Sequence, residues 1–350
     1  MKRKSTLLTL LFSLLAALLF AGTALAEGND PDGGKVVVAN RNSGSISIID
    51  TNTDAVIATI NLPAGDNTPE PMYVVYSHFG DRFFVGDRGN DRVVVFDADN
   101  FSVIDTISTG AGVFHMWADS RGRQLWVNND ADNTATVIDT KTLAVIATVP
   151  MPADLVGLGG KPHDVILDRS GRFAWVTMLG FGDGTGYVVQ FSTRTFAEVN
   201  RVQVGDDPHL SLATRGRALY VPVQGSSEVS VFDRYTLAPI TAIDVPNAHG
   251  AGMRADGKIF YTTNIAGGGA DGIFTIDTRS NTLVGQPVDT PYPTPHNIAL
   301  TPDGTKLYLT HSGATADQVT IYSASKQAPV PVYQDEVTVG LNPFGLAYIP

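Results

Sequence analysis

The stretch "GDRFFVGDRGNDRVVVFDADNFSVIDTI" (80–107) indicates a repeat protein, because its pattern occurs at least twice more along the chain. The clearest copies are "GRQLWVNNDADNTATVIDTKTLAVIATV" (122–149) and "GRALYVPVQGSSEVSVFDRYTLAPITAI" (216–243). Each has a short run rich in β-branched and aromatic residues, a polar loop, an alternating run that ends in Asp, and a last alternating run. Alternation with a period of two predicts strands, and clusters of Gly, Asn and Asp predict turns. Four strands in each repeat predict a β-propeller.

The number of blades follows from the innermost strand of each repeat. The seven predicted strand starts, spaced by 40–48 residues, are Met72, His115, His163, His209, His249, His296 and Phe344. Residues 35–60 hold only three strands and residues 342–350 only one, so the two ends should form one blade and close the ring, which removes two sheet edges. We therefore expect an all-β fold, a seven-bladed β-propeller of four-stranded antiparallel blades, as a single domain over residues 35–350.

Four short segments resemble YVTN-type β-propeller repeats, and each is followed by a strand that ends in an aspartate. They are "VVAN" (37–40), "WVNN" (126–129), "LYVP" (219–222) and "YTTN" (261–264). The resemblance covers essentially all of residues 35–350 and implies the propeller fold. It implies little about activity, because this fold carries enzymes, sensors and scaffolds.

The N-terminus has the features of a secretory signal peptide. Three basic residues follow Met1, an apolar run extends from Leu7 to Ala21, and "ALA" at 24–26 supplies small residues for cleavage before Glu27. We expect residues 1–26 to be removed, with residues 27–34 left as a short N-terminal segment. The predicted location is periplasmic or secreted, with no stable membrane insertion after cleavage.

Composition excludes several classes of function. The formal net charge is −11, and loss of residues 1–26 with their three basic residues would take it to −14. Such a surface repels phosphate backbones, so no nucleic acid partner is expected. The chain has no cysteine, which excludes disulfides, thiolate-bound zinc, iron–sulfur clusters and c-type haem. We expect a monomer, with a protein or a small molecule as the partner.

The histidines supply the candidate site. Of seven histidines, five are predicted to begin an innermost strand at one register, and the first residues of such strands surround the channel at one mouth. Five crowded imidazoles would repel when protonated, and imidazole is the commonest metal ligand. The sequence therefore predicts a copper or iron site, with an oxidoreductase as the first expectation. The predicted ligands are His115, His163, His209, His249 and His296.

A second ring follows from hairpin geometry. Pairing Thr301 with Lys306 across the "PDG" turn would place His296 opposite His311, which makes His311 a sixth candidate ligand. The equivalent positions in other blades add Asp87 and Met178. Met72, in the innermost register itself, adds a thioether that would favour copper.

Three other interpretations stay open. Glu70 and Asp207 lie in loops that lead into innermost strands, so either one with a histidine could provide the acid and base of a metal-assisted lyase or hydrolase. Asp164 follows His163 directly and could orient a neighbouring imidazole. The protein could also be a non-catalytic scaffold that binds a protein or a polysaccharide. Finally, the histidines could be plain repeat residues that cap strand ends.

Overall fold

A computed structural model describes residues 33–119, 121–212, 216–265 and 272–350. The predicted signal peptide (1–26) lies outside the described residues. Seven sheets of four or five antiparallel strands follow one another along the chain, and almost no helix is present among the described residues. The expected seven-bladed propeller is therefore confirmed. Within the described ranges, no helix is long and apolar enough to cross a membrane.

The first blades hold the most regular strands. The N-terminal strands are β1 (Lys35–Asn40), β2 (Ser45–Asp50) and β3 (Ala55–Asn61). Blade 2 contains β4 (Pro71–Ser77), β5 (Arg82–Asp87), β6 (Arg92–Asp97) and β7 (Val103–Ser108). Blade 3 contains β8 (Val113–Ala118), β9 (Gln124–Asn129), β10 (Thr134–Asp139) and β11 (Val145–Pro150). Blade 4 contains β12 (Lys161–Leu167), β13 (Phe173–Leu179), β14 (Thr185–Ser192) and β15 (Glu198–Gly205).

The later blades include three strands of only two residues. Blade 5 contains β16 (Ser211–Leu212), β17 (Ala218–Val223), β18 (Glu228–Asp233) and β19 (Pro239–Asp244). Blade 6 contains β20 (Ala248–Met253), β21 (Ile259–Asn264), β22 (Gly272–Asp277), β23 (Thr282–Leu283) and β24 (Val288–Asp289). Blade 7 contains β25 (Pro295–Leu300), β26 (Lys306–His311), β27 (Gln318–Ser323) and β28 (Val332–Thr338), and β29 (Pro343–Ile349) follows it. The helical segments among the described residues are α1 (Ala153–Gly157) and the 3-10 turns Arg41–Ser43, Arg88–Asn90 and Gln224–Ser226.

The C-terminal strand closes the ring. Strand β29 pairs antiparallel with β1, from Lys35 opposite Ile349 to Asn40 opposite Pro343, so blade 1 has the order β29-β1-β2-β3. The two ends of the chain thus complete one blade, as the sequence predicts. Closure removes the open inner edge that β1 would otherwise present.

The core lies between neighbouring blades, where buried Val, Ile, Phe and Tyr side chains form separate clusters. Aromatic residues of the second strand also reach the next blade with their polar atoms. Tyr220 donates to Asn281 at 2.7 Å, Tyr261 donates to the Pro329 carbonyl at 2.7 Å, and Trp175 donates to the Arg234 carbonyl at 3.1 Å. These contacts give the three boundaries between blades 4 and 7 a directional bond in addition to apolar burial.

A bulge at the start of the innermost strand is the local feature that builds the site. In blade 4, Pro162 pairs with Met178 and Val165 pairs with Val176, so two residues oppose the single Thr177. The same two-against-one arrangement occurs in every blade except blade 5. A bulge changes the direction of the side chains that it contains. In these strands it turns two consecutive residues toward the channel end of the sheet.

The bulge also corrects the expected register of blade 7. His311 pairs with Pro295 instead of His296, although Ile298 and Leu309 pair as predicted. The extra residue between Pro295 and Ile298 shifts the pairing by one. The prediction that His296 lies opposite His311 is therefore wrong, because it assumed a regular ladder up to the strand end.

Candidate functional site

One position near the start of the innermost strand recurs in all seven blades around the channel, and its residues are called here the histidine ring. It is the first bulge residue in six blades, and in the regular pairing of blade 5 it is His209, directly after Pro208. Four of its members are histidines in consecutive blades, and the other three are apolar. In chain order they are Met72, Phe114, His163, His209, His249, His296 and Phe344. His115 is the second bulge residue of blade 3, so its expected place in this register is wrong, and Phe114 stands there instead.

The aromatic side chains of the histidine ring contact one another in blade order, from Phe114 to Phe344. Centroid distances are 4.8 Å from His163 to His209, 3.8 Å from His209 to His249 and 4.8 Å from His249 to His296. Phe344 continues the series at 4.3 Å from His296, and Phe114 lies 4.6 Å from His163. Repetition of one strand position thus brings residues from four separate blades into direct contact.

Hydroxyl and amide side chains opposite the bulges hold the ring together. Thr310 accepts from the Asn297 amide at 3.0 Å and donates to the Phe344 carbonyl of the next blade at 2.8 Å. Thr263 accepts a bond from the backbone of its own blade and donates to the His296 carbonyl at 3.2 Å. Each threonine therefore fixes its own bulge and the ring residue of its neighbour.

His209 lies between two carboxylates. Its Nδ1 is 3.6 Å from Asp164 Oδ2, and its Nε2 is 3.4 Å from Asp207 Oδ1. Burial alone would lower the pKa of His209, but Asp164 and Asp207 outweigh burial and raise it to about 9. The pKa of Asp207 is lowered, since the contact with His209 outweighs its own burial. The group therefore holds an imidazolium at neutral pH.

His249 is displaced in the opposite direction. Burial, followed by the positive charge of His209, lowers the pKa of His249 well below its ordinary value. Its Nδ1 lies 2.8 Å from Gln224 Oε1, an amide oxygen that can only accept a hydrogen bond. The neutral ring then carries its proton on Nδ1 and a lone pair on Nε2. Burial likewise lowers the pKa of His296, to about 3.

Several buried polar atoms around His209 lack partners. Within the described part of the chain, no hydrogen bond reaches His163 Nδ1, Asp164 Oδ1 or His209 Nε2. The neighbouring carboxylate oxygens approach at 3.4 Å, without hydrogen-bond geometry. Asp164 and His209 are 5% and 4% exposed, so these atoms have little access to bulk water. Unpaired buried polar atoms are rare in folded proteins and require an explanation such as a catalytic role or a bound ligand.

A cavity of about 1380 Å³ extends from these residues along the channel. Asp164, His209 and His249 line it at the histidine ring, and Trp117 and Arg169 line it further along the strands. Its volume exceeds the range of about 300–1,000 Å³ that is common for small-molecule sites. A ligand in the channel can therefore contact the ring and still extend away from it.

Of the other predicted ligands, two histidines lie outside the ring. His115 Nδ1 accepts from the Val165 amide at 3.1 Å, and burial lowers its pKa. His311 is fully buried, with Nε2 2.9 Å from the Thr320 hydroxyl and Nδ1 3.1 Å from the Pro293 carbonyl.

The non-histidine candidates pack away from the imidazoles. Met72 shares the backbone position of the histidine ring, but its side chain is fully buried in an apolar cluster between blades, and Met178 is buried in another such cluster. Asp87 is fully buried, lies 2.8 Å from Arg92 and accepts from the Glu70 amide. The Glu70 carboxylate lies 3.3 Å from Arg41. Of the two predicted acids, only Asp207 contacts a ring histidine.

Donor atoms suited to a metal do cluster here. The donor atoms of His163, Asp164 and His209 lie within 4.8 Å of one another, as do those of Asp207, His209 and His249. Copper or iron as a cofactor stays a prediction from the sequence.

Comparison with known proteins gives the family. Residues 28–248 match the family described as "Lactonase, 7-bladed beta-propeller". The chain belongs to this lactonase family. No protein of curated function matches its sequence significantly.

Solved structures resemble the lactonase-family propeller in fold. A periplasmic gluconolactonase from Pseudomonas aeruginosa is 18% identical, with 91% of this chain and 99% of that chain covered and a TM-score of 0.70. Hydrazine synthase from Kuenenia stuttgartiensis is 17% identical, with 81% and 91% covered and a TM-score of 0.67. A candidate 6-phosphogluconolactonase from Bacteroides fragilis is 15% identical, with 93% and 100% covered and a TM-score of 0.70.

The family assignment corrects the expected activity. A copper or iron oxidoreductase was the first expectation from the histidines, and membership in the lactonase family contradicts it. That expectation assigned five imidazoles to one register and treated the neighbouring carboxylates as secondary candidates. In the structure four imidazoles share that register, and Asp164 and Asp207 hold one of them as an imidazolium. This arrangement is suited to acid–base chemistry, which the alternative hydrolase interpretation includes.

Proposed function

We propose that the protein is a hydrolase that opens a lactone at the histidine ring, with His249 as general base and His209 as the electrophilic group. The observation that carries the proposal is the contact of these two imidazoles, 3.8 Å apart, at the end of a large cavity in a lactonase-family chain. Their opposed pKa displacements support the assignment, because groups with pKa values pushed apart can act as acid and base at one pH.

The first step is attack of water on the lactone carbonyl carbon. His249 Nε2 takes one proton from the water as the new C–O bond forms, and Gln224 keeps the opposite nitrogen protonated throughout. The carbonyl electron pair moves to the carbonyl oxygen. The N–H of the His209 imidazolium donates to that oxygen and stabilises its negative charge.

Collapse of the tetrahedral intermediate completes the reaction. The electron pair on the oxygen re-forms the carbonyl, and the ring C–O bond breaks. The leaving alkoxide takes the proton from His249, so the products are a hydroxy acid and the starting form of the enzyme. Asp164 and Asp207 act through His209, because both stabilise its charged form.

A sugar lactone is the first substrate to test. The similar Pseudomonas aeruginosa structure is a periplasmic gluconolactonase, and the N-terminal sequence pattern favours export for this chain as well. We infer a periplasmic or secreted enzyme that carries YVTN-type repeats. Intact-mass measurement of the exported protein should therefore find a chain that begins at Glu27.

The test is a pH-stat assay of glucono-1,5-lactone and a simple γ-lactone, with the uncatalysed rate subtracted. Wild-type protein should accelerate opening of at least one lactone, and His249→Gln should abolish most of the acceleration. Circular dichroism and thermal melting should establish that the variant is folded. If wild-type protein accelerates neither lactone, the proposed hydrolase is wrong.

A further inference from the structure

The far mouth of the cavity, defined here by Trp117, Asp119 and Arg169, contains an exposed aromatic surface. Trp117 is 40% exposed, whereas the other two tryptophans, Trp126 and Trp175, are fully buried. Large aromatic side chains contribute strongly to binding because they offer a wide apolar face at low conformational cost. An exposed tryptophan on the wall of a cavity is therefore a candidate binding surface.

The position of Trp117 is fixed by its neighbours. Its ring is nearly parallel to that of His115, with an angle of 11° and a centroid distance of 6.4 Å. His115 is itself held by the Val165 amide and contacts Tyr73 at 4.4 Å. The aromatic wall thus extends from Tyr73 and His115 to Trp117, toward the far mouth.

The distance along this wall sets the size of the ligand. Trp117 lies three residues beyond Phe114, the ring residue of the same strand, which is about 10 Å at the usual strand rise of about 3.3 Å per residue. One sugar ring is shorter than this distance, and two linked rings match it. The cavity volume of about 1380 Å³ also has room for a ligand of that size.

The polar side chains of the cavity lining indicate which kind of ligand ring can bind at the far mouth. The cavity lining that includes Trp117 also contains the exposed polar side chains His78, Arg169 and Lys326. Polar side chains in the same lining suit a hydroxylated ring, whose C–H face stacks on tryptophan while its hydroxyl groups form hydrogen bonds with those side chains. A purely apolar ring would desolvate these groups without replacing their contacts with water.

We propose that the far mouth binds the second sugar ring of a disaccharide lactone, with Trp117 as the stacking surface. The inference rests on the proposed function for the position of the lactone at the histidine ring. It names the substrate class, a lactone of an aldobionic acid, such as cellobiono-1,5-lactone. Recognition of the second ring would make the disaccharide lactone a better substrate than glucono-1,5-lactone.

Binding of the stable open acid tests the site without any need for catalysis. Isothermal titration of wild-type protein with cellobionate should give binding that gluconate does not match. Trp117→Ala should weaken cellobionate binding by about 2- to 13-fold, the range that corresponds to the loss of one aromatic contact. Trp117→Phe should retain part of it. Phe79→Ala is the matched control, because Phe79 is equally exposed at 40% and lies outside the cavity lining.

The results separate this inference from the proposed function. Cellobionate binding that Trp117→Ala leaves unchanged, or no binding to wild type, would overturn the inference even if glucono-1,5-lactone is hydrolysed. Loss of binding in Trp117→Ala, with Phe79→Ala unaffected and both variants folded, supports it. If that loss occurs while no lactone is hydrolysed, the sugar site stands and the hydrolase is wrong.

Discussion

The imidazole rings of His209 and His249 lie 3.8 Å apart, yet their pKa values are displaced in opposite directions. The cause is the position of the carboxylates, because Asp164 and Asp207 both lie against His209. A charged His209 then disfavours a second charge on His249. One proton is therefore fixed at a defined place in a ring of four chemically identical side chains.

Replacing either imidazole should remove most of the catalysis. His209→Gln and His249→Gln should each lower kcat by about 10²–10⁴-fold, the usual contribution of a positioned acid or base. Because the two groups act in one step, the double variant should lose little more than either single variant. Phe79→Ala is the control, because this exposed residue lies outside the cavity lining. Additive losses in the double variant would contradict joint action.

The rate should depend on pH through His209. The raised pKa means that His209 is protonated below about 9 and loses its proton as the pH rises through that value. Catalysis should therefore fall above about pH 9 and persist below pH 6.5, since the lowered pKa of His249 keeps it neutral there.

The control for this pH dependence is Asp207→Asn. It removes one of the two carboxylates that raise the pKa of His209, so the alkaline fall in kcat/KM should begin at lower pH. The profile is measured with the uncatalysed opening of the lactone subtracted at each pH. An alkaline fall at the same pH in both proteins would assign it to a different group.

Gln224 should act as a positioning residue for His249. Gln224→Leu removes the acceptor for the Nδ1 proton, so the ring loses its fixed tautomer and kcat should fall without a matching change in KM. Gln224→Glu restores an acceptor but adds negative charge, which favours protonation of His249. The acid side of its pH profile should then move to higher pH. A purely structural role would lower activity without that movement.

Much of the fold could be predicted from the sequence, because every repeat has the same pattern of predicted strands. The ring register was also readable where a proline marks it, directly before His163, His209 and His296. Blade 3 has no such proline, and "GVFHMW" (112–117) fits the register with either Phe114 or His115. A shift of one residue exchanges Phe114 and His115, and only the pairing of β8 with β9 shows which of them lies in the ring register.

The rest of the site depends on contacts that the sequence pattern does not encode. The bulge that moves His311 away from His296 inserts one residue without any change in composition. Gln224 belongs to blade 5, but its side chain forms a hydrogen bond with His249 of blade 6. This contact therefore depends on how the two blades pack against each other. No sequence motif indicates that Gln224 and His249 form a pair. The sequence did indicate Asp164 and Asp207, but not that both contact the same imidazole.

The threonines opposite the bulges should stabilise the ring more than exposed threonines on outer strands do. Thr310→Val keeps the shape of the side chain but removes the acceptor for the Asn297 amide and the donor to the Phe344 carbonyl. Leaving a buried amide without a partner costs about 1–3 kcal/mol, so the free energy of unfolding should fall by that amount. Thr59→Val, on the exposed outer strand β3, is the matched control and should change it by less than about 0.5 kcal/mol. Equal effects of the two substitutions in chemical denaturation would mean that the hydroxyl of Thr310 does not hold the boundary between blades 7 and 1.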